Sequence, residues 1–161
     1  MPTTPGASRR VELPYEHRQS GAITRAGIGM GIGITVVVLI QTEGGPPLWI
    51  ASSVLVVLLL AFVAFGSLTT SVDRDRVAAR FGPGWIHFDF DIVDIASARS
   101  VRNPWFVGWG IRWMPGTWIY NVSGLDAVEI ELKSGKRYRL GTDEPAALEA
   151  AIRAALDPSS V

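Results

Sequence analysis

The longest apolar segment of the chain, residues 48–68, predicts a helix that crosses a lipid bilayer. Its 21 residues, LWIASSVLVVLLLAFVAFGSL, include no charged side chain. A helix of this length rises about 30 Å, which is the hydrocarbon thickness of a typical membrane. The competing interpretation is a buried core helix of a soluble protein. A domain built from the rest of this chain is too small to enclose a helix that is apolar on every face.

A shorter apolar run, about residues 25–41, precedes this segment and predicts the first helix of a transmembrane hairpin. Glycines occupy alternate positions along it at Gly27, Gly29, Gly31 and Gly33. Glycines four residues apart let another membrane helix approach closely, and the second helix of the hairpin is the nearest partner. A dimer formed through the same glycine face is the alternative. A cleaved signal peptide is a further alternative, although no small-x-small cleavage pattern follows the run.

The charges around the two apolar segments predict the orientation of the hairpin. The turn between the segments contains Glu43 and no basic residue, whereas arginines lie on both outer sides. These arginines are Arg9, Arg10, Arg18, Arg25, Arg74, Arg76 and Arg80. Because basic residues favour the cytoplasmic side of a membrane, we expect a multi-pass membrane protein with both termini in the cytoplasm. Residues 1–22 are then a cytoplasmic tail, and residues 23–68 form the hairpin.

Apolar and polar residues alternate after residue 67, and turn residues interrupt the alternation every few positions. This pattern is typical of short antiparallel strands. We predict seven strands, at 67–72, 77–81, 85–90, 95–101, 117–122, 127–132 and 137–140. The sixth is the clearest, with Val128 and Ile130 on one face and Glu129 and Glu131 on the other. We therefore expect the first face to be buried and both glutamates to face water.

An amphipathic helix is predicted after the last strand. Thr142 or Asp143 can cap it, Pro145 suits its first turn, and Asp157 with the proline that follows ends it. Short strands followed by one such helix predict a small antiparallel barrel or bent sandwich that the helix closes. This domain covers residues 67–157, with 158–161 as a tail. The predicted fold class is an α+β membrane protein.

Seven strands and a C-terminal helix are also the architecture of pleckstrin-homology (PH) domains. The sequence resembles bacterial PH-like membrane proteins, in which a two-helix hairpin precedes such a domain, over about residues 20–156. The motifs that carry the resemblance are Phe81-Gly82-Pro83-Gly84-Trp85, Gly108-Trp109-Gly110-Ile111-Arg112, Tyr120-Asn121-Val122-Ser123-Gly124 and Gly141-Thr142-Asp143-Glu144-Pro145. The resemblance implies a PH-like seven-stranded domain at the inner membrane of a bacterium.

The resemblance does not extend to phosphoinositide binding. Eukaryotic PH domains bind those lipids through basic residues around the first two strands. The corresponding turn here is Asp73-Arg74-Asp75-Arg76, in which acids alternate with bases.

Composition and charge exclude several classes of function. Fifteen basic residues balance fifteen acidic ones, so the basic excess of a nucleic-acid-binding protein is missing. The chain has no cysteine, which removes disulfides, thiolate metal sites and cysteine nucleophiles. Its two histidines are too few for most zinc sites. We expect no nucleic-acid partner, no metal, no cofactor and no enzymatic activity.

The segment NPWFVGWGIRWMPGTW, residues 103–118, is the most unusual and holds four of the six tryptophans. We choose Trp105, Trp109, Arg112 and Trp113 as candidate partner-binding residues. One interpretation is an aromatic and basic loop that rests among lipid headgroups or binds a partner. The other is that the rings fill the core of the small barrel. Arg112 lies between aromatic residues and can stack on either ring.

Acidic and histidine side chains offer weaker candidates for chemistry. Asp73 and Asp75 have the DxD spacing of some metal-binding sites, but the arginines between and after them compete for the carboxylates. We interpret both as turn residues, and we interpret Asp89, Asp91 and Asp94 as a solvated strand end and turn. His87 shares a strand face with Asp89, but no nucleophile or second acid completes a catalytic group.

These observations predict a non-enzymatic interaction module that the hairpin holds at the cytoplasmic face of the membrane. Its partners are the bilayer and either an unidentified membrane-proximal protein or another copy of itself. The alternative function is a structural homo-oligomer assembled through the glycine-rich helix. A membrane-surface enzyme is the third hypothesis, and no group of residues supports it.

Overall fold

The computed structural model describes residues 13–41 and 47–157, which form nine strands and three α-helices. The strands are β1 (Tyr15–Ser20), β2 (Ser67–Val72), β3 (Arg76–Phe81), β4 (Ile86–Asp91), β5 (Ile95–Arg102), β6 (Gly110–Met114), β7 (Thr117–Asn121), β8 (Asp126–Leu132) and β9 (Arg137–Gly141). The helices are α1 (Ala22–Gln41), α2 (Leu48–Ala64) and α3 (Pro145–Leu156), and short 3-10 turns lie at Ile92–Asp94 and Trp105–Val107. The predicted α+β class is confirmed.

The strands form two sheets. The first has the order β1-β2-β3-β4 and is antiparallel throughout, and the second has the order β5-β8-β9-β7-β6. The prediction of a purely antiparallel domain is wrong at one position, since β7 and β9 pair in parallel. The reason is that β9 returns from its hairpin with β8 and lies between β8 and β7.

The two sheets pack against one another through aromatic rings and aliphatic side chains. Phe88 of β4 stacks on Tyr120 of β7, with ring centroids 4.1 Å apart, and Phe90 contacts Tyr138 of β9 at 4.8 Å. Helix α3 packs on β5, β8 and β2, and it contributes Leu148 and Ile152 to the core. The predicted C-terminal helix therefore closes the domain as expected.

All seven predicted strands are present, with ends that differ by at most one residue, and two further strands are new. The sequence prediction placed residues 1–22 in a tail, but Tyr15–Ser20 is β1 and pairs with β2 along its whole length. Its sequence, YEHRQS, is polar because β1 is an edge strand, and only Gln19 of its six residues is buried. Residues 1–12, with Arg9 and Arg10, lie outside the described residues.

Helices α1 and α2 pack against each other between β1 and β2. Within the described residues, α1 alone is both long and apolar enough to cross a membrane, and α2 is an apolar helix of 17 residues. The predicted span over 48–68 is therefore too long, because Ser67 and Leu68 belong to β2. The first helix is correspondingly longer than the predicted 25–41, since it begins at Ala22.

The four glycines of α1 do not form a single packing face. A Cβ added at Gly29 would lie 3.9 Å from Phe62 of α2, and one at Gly31 would lie 3.8 Å from Leu58. A Cβ at Gly27 or Gly33 would meet nothing within 4 Å. Each predicted four-residue pair is thus split, with one glycine beside α2 and the other on the outer surface of α1.

Three glycines let the helix pair enter the first sheet without a linker. The Gly21 N–H donates to the Gly66 carbonyl at 3.0 Å, and the Gly82 N–H donates to the Ser67 carbonyl at 2.8 Å. A Cβ at Gly21 would lie 2.6 Å from the Phe65 carbonyl oxygen. Backbone therefore packs directly on backbone where the helices meet the sheet.

We predict that Gly82→Ala destabilises the protein far more than Gly84→Ala. Both glycines have positive φ, +53° and +93°, so alanine costs about 1–2 kcal/mol of conformational strain at either position. Only at Gly82 would the new methyl also collide with backbone oxygens of α2, those of Val63 and Ala64. Thermal unfolding of the detergent-solubilised full-length chain measures the difference. Equal melting temperatures for the two variants would contradict the close backbone packing of Gly82 against the end of α2.

Candidate functional site

The two sheets meet the helix pair at one end, which we call the helix end. It is formed by the β3–β4 turn (82–85), the loop before β6 (103–109) and the β7–β8 connection (122–125). These segments lie together because β1, β2 and β3 have Ser20, Ser67 and Phe81 at this end, and the second sheet is tied to it through the contacts of the β7–β8 connection.

The β7–β8 connection is held in shape by Asn121, a buried side chain. Its Nδ2 donates to the Gly124 carbonyl at 3.0 Å, and its Oδ1 accepts from the Ser123 N–H at 3.2 Å. Gly141 on the neighbouring strand leaves room for this amide, since a Cβ there would collide with Asn121 Oδ1. The two motif residues therefore depend on each other: Asn121 shapes the connection, and Gly141 leaves the space that its amide occupies.

Side chains from three other segments donate to carbonyls of this connection. Thr24, in the first turn of α1, donates through its hydroxyl to the Val122 carbonyl at 2.6 Å. Trp109 Nε1 donates to the Gly124 carbonyl at 3.1 Å. Gln19 of β1 donates in the same way to Ser123. The first turn of α1 and the tryptophan-rich loop are thus bound to carbonyls only two residues apart.

The loop before β6 is fixed by its two ends and one buried residue. The Asn103 N–H donates to the Leu125 carbonyl at 2.7 Å, and its Oδ1 accepts from Arg139 at 3.1 Å. Val107 is buried. The loop then turns through Gly108, whose φ of +72° is in the left-handed region. The 3-10 turn between these fixed points presents its remaining side chains outward.

The rings of the tryptophan-rich segment are exposed, so they do not fill the core. Trp105 is 80% exposed and Phe106 is 68% exposed, with the two rings packed edge to face at 6.3 Å. Trp85, in the β3–β4 turn of the other sheet, is 61% exposed. Sequence reasoning did not select Trp85 as a site residue, although its position directly after Gly-Pro-Gly places it at a turn.

The candidate residues Trp113 and Arg112 lie apart from Trp105. Trp113 is 63% exposed on β6 and pairs across the strands with Trp118 of β7, which is also exposed. Arg112 precedes it and so points to the opposite face of the sheet, where its Nε donates to the Trp109 carbonyl at 3.3 Å. Stacking of Arg112 on an aromatic ring stays a prediction. The four proposed residues therefore form two surfaces, one at the helix end and one on β6.

The prediction that both glutamates of β8 face water is wrong for Glu129. Its side chain is 2% exposed and lies between Arg99 of β5 and Arg139 of β9. Burial opposes the carboxylate charge, but hydrogen bonds from the two arginines outweigh it and lower the pKa of Glu129 below its ordinary value. Strand alternation indicates which face of the sheet a residue occupies, but it cannot reveal that the two arginines on the neighbouring strands bury Glu129 on the outer face.

The remaining candidates for chemistry are dispersed in the structure. Asp73 and Asp75 lie at the β2–β3 turn, and His87 and Asp89 are exposed on β4. Across residues 13–41 and 47–157, no three histidine or acidic side chains lie close enough together to hold a metal ion. His17 hydrogen-bonds through Nε2 to Asp143 at 2.5 Å and ties β1 to the segment before α3.

Comparison with known proteins adds no family to this description. Neither protein-family models nor curated protein sequences match the chain.

We predict that Glu129→Gln lowers the unfolding free energy by about 2 kcal/mol at neutral pH, because charge-assisted hydrogen bonds to both arginines are weakened. Glu131→Gln is the matched control, since Glu131 is an exposed residue two positions away on the same strand face; its effect should stay within about 0.5 kcal/mol.

The pH dependence of this difference follows from the lowered pKa of Glu129. A carboxyl group with a depressed folded-state pKa stabilises the protein above its unfolded pKa, and that contribution is lost as the pH falls through the folded pKa. The difference in unfolding free energy between wild type and Glu129→Gln should therefore shrink as the pH falls below 4.5, the ordinary pKa of a glutamate carboxyl. Denaturant unfolding across pH measures it, and a constant gap would contradict the assigned ion pairs.

Proposed function

We propose that this protein is a membrane-anchored, PH-like interaction module that recruits a protein partner at the cytoplasmic face of a bacterial inner membrane. The observation that carries the proposal is the position of the helix pair. Apolar helices α1 and α2 are inserted between two strands of one sheet, and their outer surfaces are exposed.

The pairing of β1 with β2 supports two membrane crossings. A chain that leaves one side of the bilayer through α1 has to return before β2, because β2 pairs with β1 along six residues. Helix α2 is the segment available for the return. Its 17 residues rise about 26 Å, at the lower limit of spanning helices. The exposed apolar residues of α2 then contact lipid; they include Leu48, Trp49, Val57, Leu60 and Val63.

The charge distribution supports a cytoplasmic β-domain. Arg25 lies in the first turn of α1 and donates to Ser20, so a basic residue marks the point where the chain enters the helix pair. The residues between the helices include no arginine or lysine. Under the positive-inside rule this asymmetry favours a cytoplasmic location for the sheets and both termini.

The β-domain supports the PH-like part of the proposal by its architecture. Two packed sheets closed by a C-terminal helix are the expected layers of such a domain. The additional strands β1 and β6 extend the two sheets at their edges.

The surface around β6 is the best candidate for the protein partner. Within the described ranges β6 has a neighbouring strand on one side only, so its other edge is available for strand addition. Trp113 and Trp118 lie exposed beside that edge. Tryptophan is enriched where protein partners bind most tightly.

Self-association is the second candidate function, and one observation favours it. Gly27 and Gly33 lie on the side of α1 that α2 leaves open. Small residues on a lipid-facing helix surface allow the close approach of a helix from another copy. The structural alternative then assembles the protein through α1 rather than through β6.

We predict that the two crossings leave only the inter-helix turn outside the cell. The chain has no cysteine, so single-cysteine variants report position without background. In intact cells, a membrane-impermeant maleimide should label Glu43→Cys and not Ser134→Cys, which lies in the β8–β9 turn. Both should react after lysis. Labelling of Ser134→Cys in intact cells, or recovery of the chain in the soluble fraction, would contradict the proposal of a module anchored at the cytoplasmic face of the membrane.

We predict that a photo-crosslinking amino acid at position 113 captures one discrete partner in living cells. The same amino acid at position 134, on an exposed turn of the same domain, is the control and should give no adduct. Self-association is expected through α1, so the same amino acid at position 33 tests it, and an adduct of twice the 17.4 kDa chain there supports the homo-oligomer. An adduct of another mass at position 113 supports recruitment, and the absence of any adduct at position 113 contradicts it.

A further inference from the structure

Exposed aromatic side chains from both sheets surround the point where the helix pair leaves the β-domain. Trp85 belongs to the β3–β4 turn, which begins at Gly82 directly against the last turn of α2. Trp105 and Phe106 belong to the loop that Trp109 ties to the β7–β8 connection, where Thr24 of α1 is also bound. Two unrelated chain segments thus bring large exposed rings to the same end of the molecule.

The reach of the chain keeps these rings close to the helices. Trp105 precedes Trp109 by four residues, so their Cα atoms are separated by at most about 14 Å. Trp109 itself is bound two residues from the carbonyl that Thr24 holds. If α1 and α2 enter a bilayer, the loop therefore lies near the level of its cytoplasmic surface.

We infer that Trp85, Trp105 and Phe106 insert into the headgroup layer of the cytoplasmic leaflet, which gives the β-domain two lipid contacts besides the helix pair. This inference rests on the proposed anchoring of the helices. Tryptophan rings favour the membrane interface, where their apolar body and polar N–H meet both environments. The rings of Trp113 and Trp118 lie on strands that lead away from the helix end and remain available to a protein.

Basic side chains at the helix end suit the same surface. Arg80 is exposed at the end of β3, and together with Arg25 it places positive charge at the helix end. Arg102, directly before the tryptophan-rich loop, is also exposed, but it pairs with Asp126 at 4.0 Å, which offsets its charge. Arginine near an anionic leaflet contributes about 1 kcal/mol per residue, so aromatic and basic groups favour the same orientation of the domain on the lipid.

Depth-dependent quenching in reconstituted vesicles tests this inference. The full-length chain is placed in two series of phosphatidylcholine and phosphatidylglycerol vesicles, one with a lipid spin-labelled near the headgroup and one with a lipid spin-labelled deep in the acyl chain. Phe106→Cys and Trp85→Cys, each labelled with an environment-sensitive fluorophore, replace exposed side chains and should preserve the fold. Ser134→Cys is the control, since β8 separates it from the helix end by about 20 Å. Gly33→Cys, on the outer surface of α1, reports helix insertion.

We expect the probes at positions 106 and 85 to be quenched and shifted to shorter emission wavelength, while the probe at 134 stays in water. A quenched probe at 33 with unquenched probes at 106 and 85 would overturn the inference, leave the anchoring intact and assign the loop to a protein partner. A probe at position 33 that neither the headgroup label nor the acyl-chain label quenches would overturn the anchoring and the inference together.

Discussion

Six residue pairs between β1 and β2 hold together the two points at which the chain leaves and re-enters the first sheet. The segment between those points therefore has to start and finish at the same end of the sheet. Two antiparallel helices meet this requirement and satisfy their own backbone hydrogen bonds in an apolar sequence. The β-domain is therefore not appended to the helices. It is built around them, with strands contributed from both sides of the insertion.

This arrangement explains why glycines and amide side chains are concentrated at the helix end. Gly21, Gly66 and Gly82 remove side chains where helix and sheet backbones touch. Asn121 and Thr24 donate to carbonyls of the β7–β8 connection. Because hydrogen bonds, rather than a flexible linker, join α1 to the second sheet, the orientation of the helices also sets the orientation of both tryptophan-bearing segments.

Much of the fold could be predicted from the sequence, since alternating residues and turn motifs located seven strands and the C-terminal helix. What escaped prediction has a physical reason in each case. Strand β1 is an edge strand that buries one polar residue, so it lacks an apolar pattern. Strand β6 lies between glycines and tryptophans that are equally typical of loops. The parallel pairing of β7 and β9 depends on the spatial order of distant segments, which local periodicity does not encode.

The candidate surfaces were only partly predictable for the same kind of reason. The concentration of tryptophan marked the right segment, but strand alternation on β6 separates Arg112 from Trp113, and the fold adds Trp85 from a different sheet. Glu129 became a buried ion-paired residue because Arg99 and Arg139 flank it on both neighbouring strands. Burial of a charge depends on such neighbours, and they are 30 and 10 positions away in the sequence.

The placement of β1 ahead of the helices has a consequence for biosynthesis. A ribosome releases β1 first, yet its partner strand emerges only after both helices have been made. Bringing distant chain ends together costs entropy that grows with the length of the intervening segment, and a formed helix pair removes most of that cost by holding Gly21 against Gly66. Assembly of the first sheet is thereby made conditional on correct pairing of the helices, so a chain whose helices fail to pair leaves β2 without its outer neighbour.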